Sequence, residues 1–153
     1  MFKTKFYAVA NPEIWYNRFI MATDKQVLDF GRSWIEMAKG DPELPLNGSE
    51  ESVNSVQTLI ASLDEKKTSP EYVDQALIGL AVYMGDMLRK KFPNFDYIIL
   101  YGDGGVVDEV QLNNGKMEIN LLSWVNKCFV NPESDNVANK YKAVVKMLSQ
   151  AKV

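Results

Sequence analysis

An α+β fold, with helices before and after a small antiparallel three-stranded sheet, is predicted by three observations. The longest apolar helical pattern in the chain begins at Ser69 and ends near Phe92; β-favouring runs separated by two glycine-bearing turns follow it; helical periodicity returns after Asn120. Helices, then sheet, then helices is the order of an α+β domain, whereas a parallel α/β fold would alternate them. At 153 residues, 46% of them hydrophobic and 24% charged, the chain (1–153) has the length of one domain with a real core.

The elements follow in order. Residues 1–10 mix Lys3 and Lys5 with Phe2, Phe6, Tyr7 and Val9, a run too short for a secretion signal and soon interrupted by Pro12. Asn11-Pro12-Glu13 predicts a helix start, with Ile14, Trp15 and Phe19 on its buried side. Thr23 with Gln26 forms a capping-box pattern that opens a second helix, whose apolar sector is Val27, Phe30, Trp34, Ile35 and Met37. Residues 40–48, with two prolines and a glycine at each end, form the clearest loop. Ser49 or Ser52 then caps a third helix carried by Val53, Val56, Leu59, Ile60 and Leu63 and ending near Lys66-Lys67.

The long central helix is the best marked. Ser69 is an N-cap, Pro70 suits the first helical position, and Glu71 and Asp74 place negative charge at the positive end of the helix dipole. Val73, Leu77, Leu80, Met84 and Leu88 form a stripe that Ala76, Ala81 and Met87 widen, so the helix belongs inside the domain. Gly79 and Gly85 each cost about 1 kcal/mol relative to alanine in a helix interior, which predicts close packing of another element at both positions. Arg89, Lys90 and Lys91 complement the C-terminal end, and Pro93 forbids continuation.

The continuous run 97–101 predicts a central strand covered on both faces. Gly102-Asp103-Gly104-Gly105 turns the chain into a second strand, 106–112, with Val106, Val110 and Leu112 on one face and Val107, Glu109 and Gln111 on the other. Asn113-Asn114-Gly115 turns it again into a third strand, 116–119. Leu121, Leu122, Trp124, Val125, Cys128 and Phe129 then predict a short helix capped by Asn120 and stopped at Asn131-Pro132. Ser134 or Asp135 opens a last helix with Val137, Tyr141, Val144, Val145 and Leu148 facing inward.

Much chemistry is excluded. The chain has no histidine, which removes serine–histidine and cysteine–histidine dyads and histidine-ligated zinc. Its one cysteine, Cys128, cannot build a thiolate metal site or an intrachain disulfide. The glycines at 102–105 lead into a strand, so they are not a phosphate-binding loop. No run approaches the roughly 20 apolar residues of a membrane span. The expectation is a cytoplasmic protein that is not an enzyme, with no cofactor, no metal and no membrane partner.

Carboxylates remain. Residues 1–93 carry 11 positive and 13 negative side chains, residues 94–120 carry 1 and 5, and residues 121–153 carry 5 and 2. The sheet is therefore the acidic part, able to steer a basic partner, and nucleic acid is not expected as a partner at a net charge of −3. Asp103, Asp108, Glu109 and Glu118, with Tyr101, are the candidate contacts. Each has a plainer reading: Asp103 as a turn residue and the others as a solvated strand face. As catalysts the carboxylates face an obstacle, because strand alternation puts Asp108 and Glu109 on opposite faces.

Ala76-Leu77-Ile78-Gly79, the run from Tyr83 to Leu88, and the run from Ile119 to Val125 together resemble small bacterial α+β domains of the immunity-protein kind, which neutralise toxins delivered between competing bacteria. The resemblance covers the second half of the chain and brings no catalytic residue with it. It implies a stoichiometric binding module that occludes the active site or substrate groove of a cognate toxin. The alternative is a small-ligand-binding protein or carboxylate-dependent enzyme. Its pocket would lie between the long helix and the sheet, lined by Tyr83, Met87, Tyr97 and Tyr101.

Overall fold

The computed structural model describes residues 23–40, 42, 45–63 and 69–151. The helix expected at Asn11 lies outside them, and the third helix ends at Ser62, with Leu63 in a non-helical conformation as its C-cap, before the expected end near Lys66-Lys67. Among the described residues the order is α1 (Asp24–Ala38), α2 (Ser52–Ser62), α3 (Pro70–Lys91), β1 (Asp96–Tyr101), β2 (Val107–Asn113), β3 (Glu118–Asn120), α4 (Leu121–Val130) and α5 (Val137–Gln150). This is the α+β arrangement the sequence predicts, with the sheet antiparallel throughout. No described helix is long and apolar enough to cross a membrane.

Local chemistry accounts for most boundaries. The capping box of α1 is closed in both directions: Gln26 N–H donates to Thr23 Oγ1 at 3.3 Å and Thr23 N–H to Gln26 Oε1 at 2.9 Å. Ser69 Oγ accepts from Tyr72 N–H at 3.3 Å to start α3, and three basic residues close its last turn. Between β2 and β3, Asn113 Oδ1 accepts from Gly115 N–H at 2.7 Å and Asn114 Oδ1 from Met117 N–H at 2.8 Å, while Gly115 takes a φ of 87°. The last helix starts later than expected. Asn136 caps it through Ala138 and Asn139, and Asp135 instead pairs with Lys140 at 2.9 Å.

Helix α3 is the axle of the core, with fifteen of its 22 residues buried. Both of its glycines are points of close approach, as the sequence suggests. A Cβ on Gly79 would stand 2.8 Å from the Trp34 ring of α1, and one on Gly85 would stand 2.8 Å from both Leu121 Cδ1 and the Tyr97 ring. Arg32 of α1 forks onto Asp86 of α3 with two 3.0 Å hydrogen bonds, and Tyr97 Oη of β1 lies 2.9 Å from both Asp86 Oδ1 and Val82 O. Burial, and then the negative Asp86, push the Tyr97 hydroxyl well above the ordinary tyrosine range. These contacts tie α1, α3 and the sheet together.

The strand order is β1-β2-β3, which corrects the expectation for the first strand. Within β1 only Ile99 is buried, while Ile98, Leu100 and Tyr101 are 37%, 43% and 39% exposed. A continuous apolar run is compatible with an edge strand as well as a central one, because pairing is decided by residues distant in sequence. The central strand is β2. Val110 and Leu112 are fully buried on one face, and Glu109 and Gln111 are buried on the other because hydrogen bonds satisfy them. Polar alternation here disguises a strand covered on both sides. Val106 falls outside β2 and instead closes the preceding turn, its carbonyl accepting from Gly102 N–H at 2.8 Å.

Candidate functional site at the acidic end of the sheet

The turn between β1 and β2 is a short 3₁₀ segment, Asp103–Gly105, followed by Val106 and the start of β2. Gly104 and Gly105 hold φ values of 73° and 78°, which side chains with a Cβ rarely adopt, so the glycines permit this geometry. It leaves Asp103 exposed at the tip. Asp108 is exposed five residues later, against the base of the turn: a Cβ on Gly102 would stand 3.7 Å from its Cβ. The first turns of α3 approach from the side with Glu71, Asp74 and Gln75, and the start of α4 approaches from below with Leu122, Ser123 and Asn126. Between these three segments lies a cleft of about 220 Å³.

The expected contacts separate into four groups. Asp103 and Asp108 share this end of the sheet. Glu118 is exposed at the other end, opposite Asn113 and so about 17 Å along the strand from Asp108, where it accepts from Gln111 Nε2 at 3.3 Å. Tyr101 is exposed, but its hydroxyl donates to Asp24 Oδ1 at 2.7 Å; burial and then that carboxylate push its titration up to about 12.

Glu109 is a correction. It is only 6% exposed, and its carboxylate accepts from the N–H groups of Val110, Leu122 and Ser123 at 3.0, 2.7 and 3.2 Å and from the Ser123 hydroxyl. It therefore serves as the cap of α4, the role the sequence assigns to Asn120, whose own side chain accepts from Gln111 Nε2 at 2.8 Å. Its carboxylate is committed inside the protein and offers a partner nothing.

Four cleft residues were not legible as site residues. Glu71 and Asp74 read as charges complementing the dipole; only Glu71 lies in the first turn of α3, and both also line the cleft. Burial and the neighbouring Glu71 raise the Asp74 carboxyl above its ordinary value. Gln75 is 3% exposed, and its Oε1 has no hydrogen-bond partner among the described residues. A lone amide on the buried side of an apolar helix was the available signal. Ser123 reads only as part of a short helix.

The aromatic pocket expected between helix and sheet is not formed by the residues proposed for it. Tyr83 and Met87 line a separate recess against α1, where Tyr83 Oη meets Gly48 N–H and Ser52 Oγ at 2.8 and 2.6 Å. Tyr97 is committed to α3. Among the described residues no group of three acidic, histidine or cysteine side chains is placed to hold a metal ion. Cys128 is fully buried, and burial pushes its thiol up, away from the reactive thiolate.

The chain matches no family model, no curated protein and no solved structure.

Proposed function

We propose that the chain is a stoichiometric binding protein whose acidic sheet end engages a basic protein partner, most concretely an immunity protein that occludes the active site or substrate groove of a cognate toxin in the cytoplasm. One observation carries this reading. Four carboxylates from two distant segments, Glu71 and Asp74 on α3 and Asp103 and Asp108 beside β2, gather around one end of the molecule. The exposed apolar side chains of Leu100, Tyr101 and Val106 adjoin them. Apolar contact area ringed by one sign of charge suits a steered, tight encounter.

The experiment is capture of the tagged protein from its native cells, native mass spectrometry of what remains bound, and kinetics with Asp103→Lys and Asp108→Lys combined. One protein retained at about 1:1, with a nanomolar dissociation constant that the double reversal raises tenfold or more through slower association, supports the reading. Unchanged association in the double variant removes this face from it. A second reading, a small-ligand protein or carboxylate-dependent enzyme, draws on the cleft itself; a bound small molecule without a protein would favour it.

A further inference from the structure

Strand β1 bonds to β2 on one side and to no described strand on the other. The register tells which main-chain groups face the open side. Val110 N–H turns toward the β3 side, because it donates to the Glu109 oxygen that also accepts from Leu122 N–H. In an antiparallel ladder, residues opposite one another point their main-chain groups either both toward or both away from the shared edge. Ile99 stands opposite Val110, and Tyr97 opposite Leu112 two residues on, so the N–H and C=O groups of Tyr97 and Ile99 face outward. They form a template for another strand.

The edge carries none of the features that usually blunt one. Asp96–Tyr101 contains no lysine and no proline, and its pairing shifts only at the last step, between Leu100 and Tyr101. Ile98 and Leu100 share one face of the strand, opposite Gln111 and Glu109. The start of α4 closes that face over Glu109 and leaves Ile98 and Leu100 exposed. An unblunted edge with exposed apolar side chains is an aggregation liability, and its productive use is to receive a strand from a partner.

Charge selects the occupant. Asp24, Asp103 and Asp108 are exposed around the Tyr101 end of the strand, where Tyr101 Oη donates to Asp24, and the neighbouring Lys25 is paired with Asp29 at 2.6 Å. Toward the other end Arg32 and Arg89 lie over the Tyr97 ring, so cations of a partner are attracted at the Tyr101 end alone. A second copy is disfavoured, because antiparallel pairing of two β1 strands lays this acidic end of each beside the exposed Asp96 of the other.

We propose that the partner of the binding reading above engages this chain by strand addition. An extended segment, apolar along its length and basic at its N-terminal end, pairs antiparallel with β1 through Tyr97 and Ile99, lays apolar side chains beside Ile98 and Leu100, and brings its cations to Asp24, Asp103 and Asp108. The existence of the partner rests on that reading; the mode of contact rests on the edge.

The probe is a hexapeptide, acetylated and amidated, of two lysines followed by alternating threonine and valine. It is titrated into the isotopically labelled full chain and followed by amide shifts and hydrogen exchange. In the free protein the amides of Tyr97 and Ile99 should exchange at least about tenfold faster than those of Ile98 and Leu100, which point at β2. The peptide should bind saturably, with a dissociation constant of roughly millimolar or tighter and shifts confined to residues 96–108, and should slow exchange at Tyr97 and Ile99 severalfold. The same peptide N-methylated at its threonines and valines, or with glutamates in place of lysines, should bind at least about tenfold more weakly. Leu100→Lys should weaken the peptide about tenfold, while Val130→Lys, at another exposed apolar residue far along α4, should leave it within about twofold. Ile98→Ser, weakening it severalfold, keeps the test open if Leu100→Lys loses the dispersed spectrum of the folded protein. Slow exchange at Tyr97 and Ile99 in the free chain would mean that the edge is already covered, by a second copy if dilution quickens it. That outcome, equal binding of the N-methylated peptide, or shifts elsewhere would overturn the proposal.

The two readings fail separately. A captured partner that charge reversal weakens, but that leaves Tyr97 and Ile99 unprotected, sinks strand addition and leaves the binding reading standing. A peptide held on β1 by a chain that retains no protein from its cells upholds the edge and sinks the binding reading.

Discussion

Glu109, buried in the central strand, caps the helix that begins twelve residues later by accepting from both the main-chain N–H and the hydroxyl of Ser123. Strand β3 pairs only with Gln111, Leu112 and Asn113, so Val110 N–H lies beyond it, and the same carboxylate takes up that donor. One side chain thereby closes an unpaired strand edge and a helix N-terminus. Glu109→Ala should destabilise the fold by about 2–3 kcal/mol, because buried N–H groups would lose a charged acceptor. That corresponds to a fall in Tm of roughly 5–10 °C, read by thermal or urea denaturation. Asp108→Ala, on an exposed position, should stay within about 0.5 kcal/mol, and a comparable loss there would contradict the separate roles assigned to these neighbours.

Gly85→Ala asks whether the close approach of Tyr97 and Leu121 matters energetically. Alanine regains about 1 kcal/mol of helix propensity, yet its Cβ must displace a buried ring and a leucine methyl, an overpacking of about 1–3 kcal/mol. Net destabilisation of up to about 2 kcal/mol is expected by urea denaturation. A more stable variant would mean that the neighbours yield freely.

Asp74 links the cleft to stability. Its carboxyl titrates higher in the folded protein, through burial first and Glu71 second. A raised value means that its stabilising contribution is complete below the unfolded carboxylate range and is lost as pH rises through the folded value. Asp74→Asn stays neutral and escapes that loss. Its Tm should exceed the parent's by roughly 1–2 °C at about pH 7, with the difference vanishing near about pH 3. A gain that persists in acid would have another origin.

The Arg32–Asp86 pair lies partly in solvent, with side chains 44% and 39% exposed. A double-mutant cycle with Arg32→Met and Asp86→Asn should give a coupling of only about 0.5–1 kcal/mol despite the forked geometry, and 1 M salt should reduce it. A coupling several times larger would show that the pair behaves as a desolvated ion pair and not as a solvent-screened one.

What the sequence discloses here is chemistry that acts over a few residues. Thr23 with Gln26, Ser69 with Pro70, and Asn113-Asn114-Gly115 each satisfy their own backbone, and each was readable. Gly79 and Gly85 announced close packing without naming what would pack. The residues that misled are those whose partners come from elsewhere. Tyr97 to Tyr101 look interior but form an edge, and Glu109 looks solvated but is buried, because neither pairing order nor a carboxylate accepting N–H groups thirteen and fourteen residues away leaves a local trace. The cleft escaped for the same reason, since it draws on three segments, and only the isolated polarity of Gln75 hinted at it.

The three strands pair in the order in which they occur along the chain, between a helix that immediately precedes them and one that immediately follows. Assembly of α3, the sheet and α4 therefore requires only short loops to close, and the entropy lost in closing a loop grows with its length. The contact of Arg32 with Asp86, by contrast, spans 54 positions. In pulse-labelled hydrogen exchange the amides of α3 and β2 should gain protection first, with α1 following, and simultaneous protection would refute that order. Every wall of the cleft belongs to the early group, so the recess is shaped by the first structure the chain acquires.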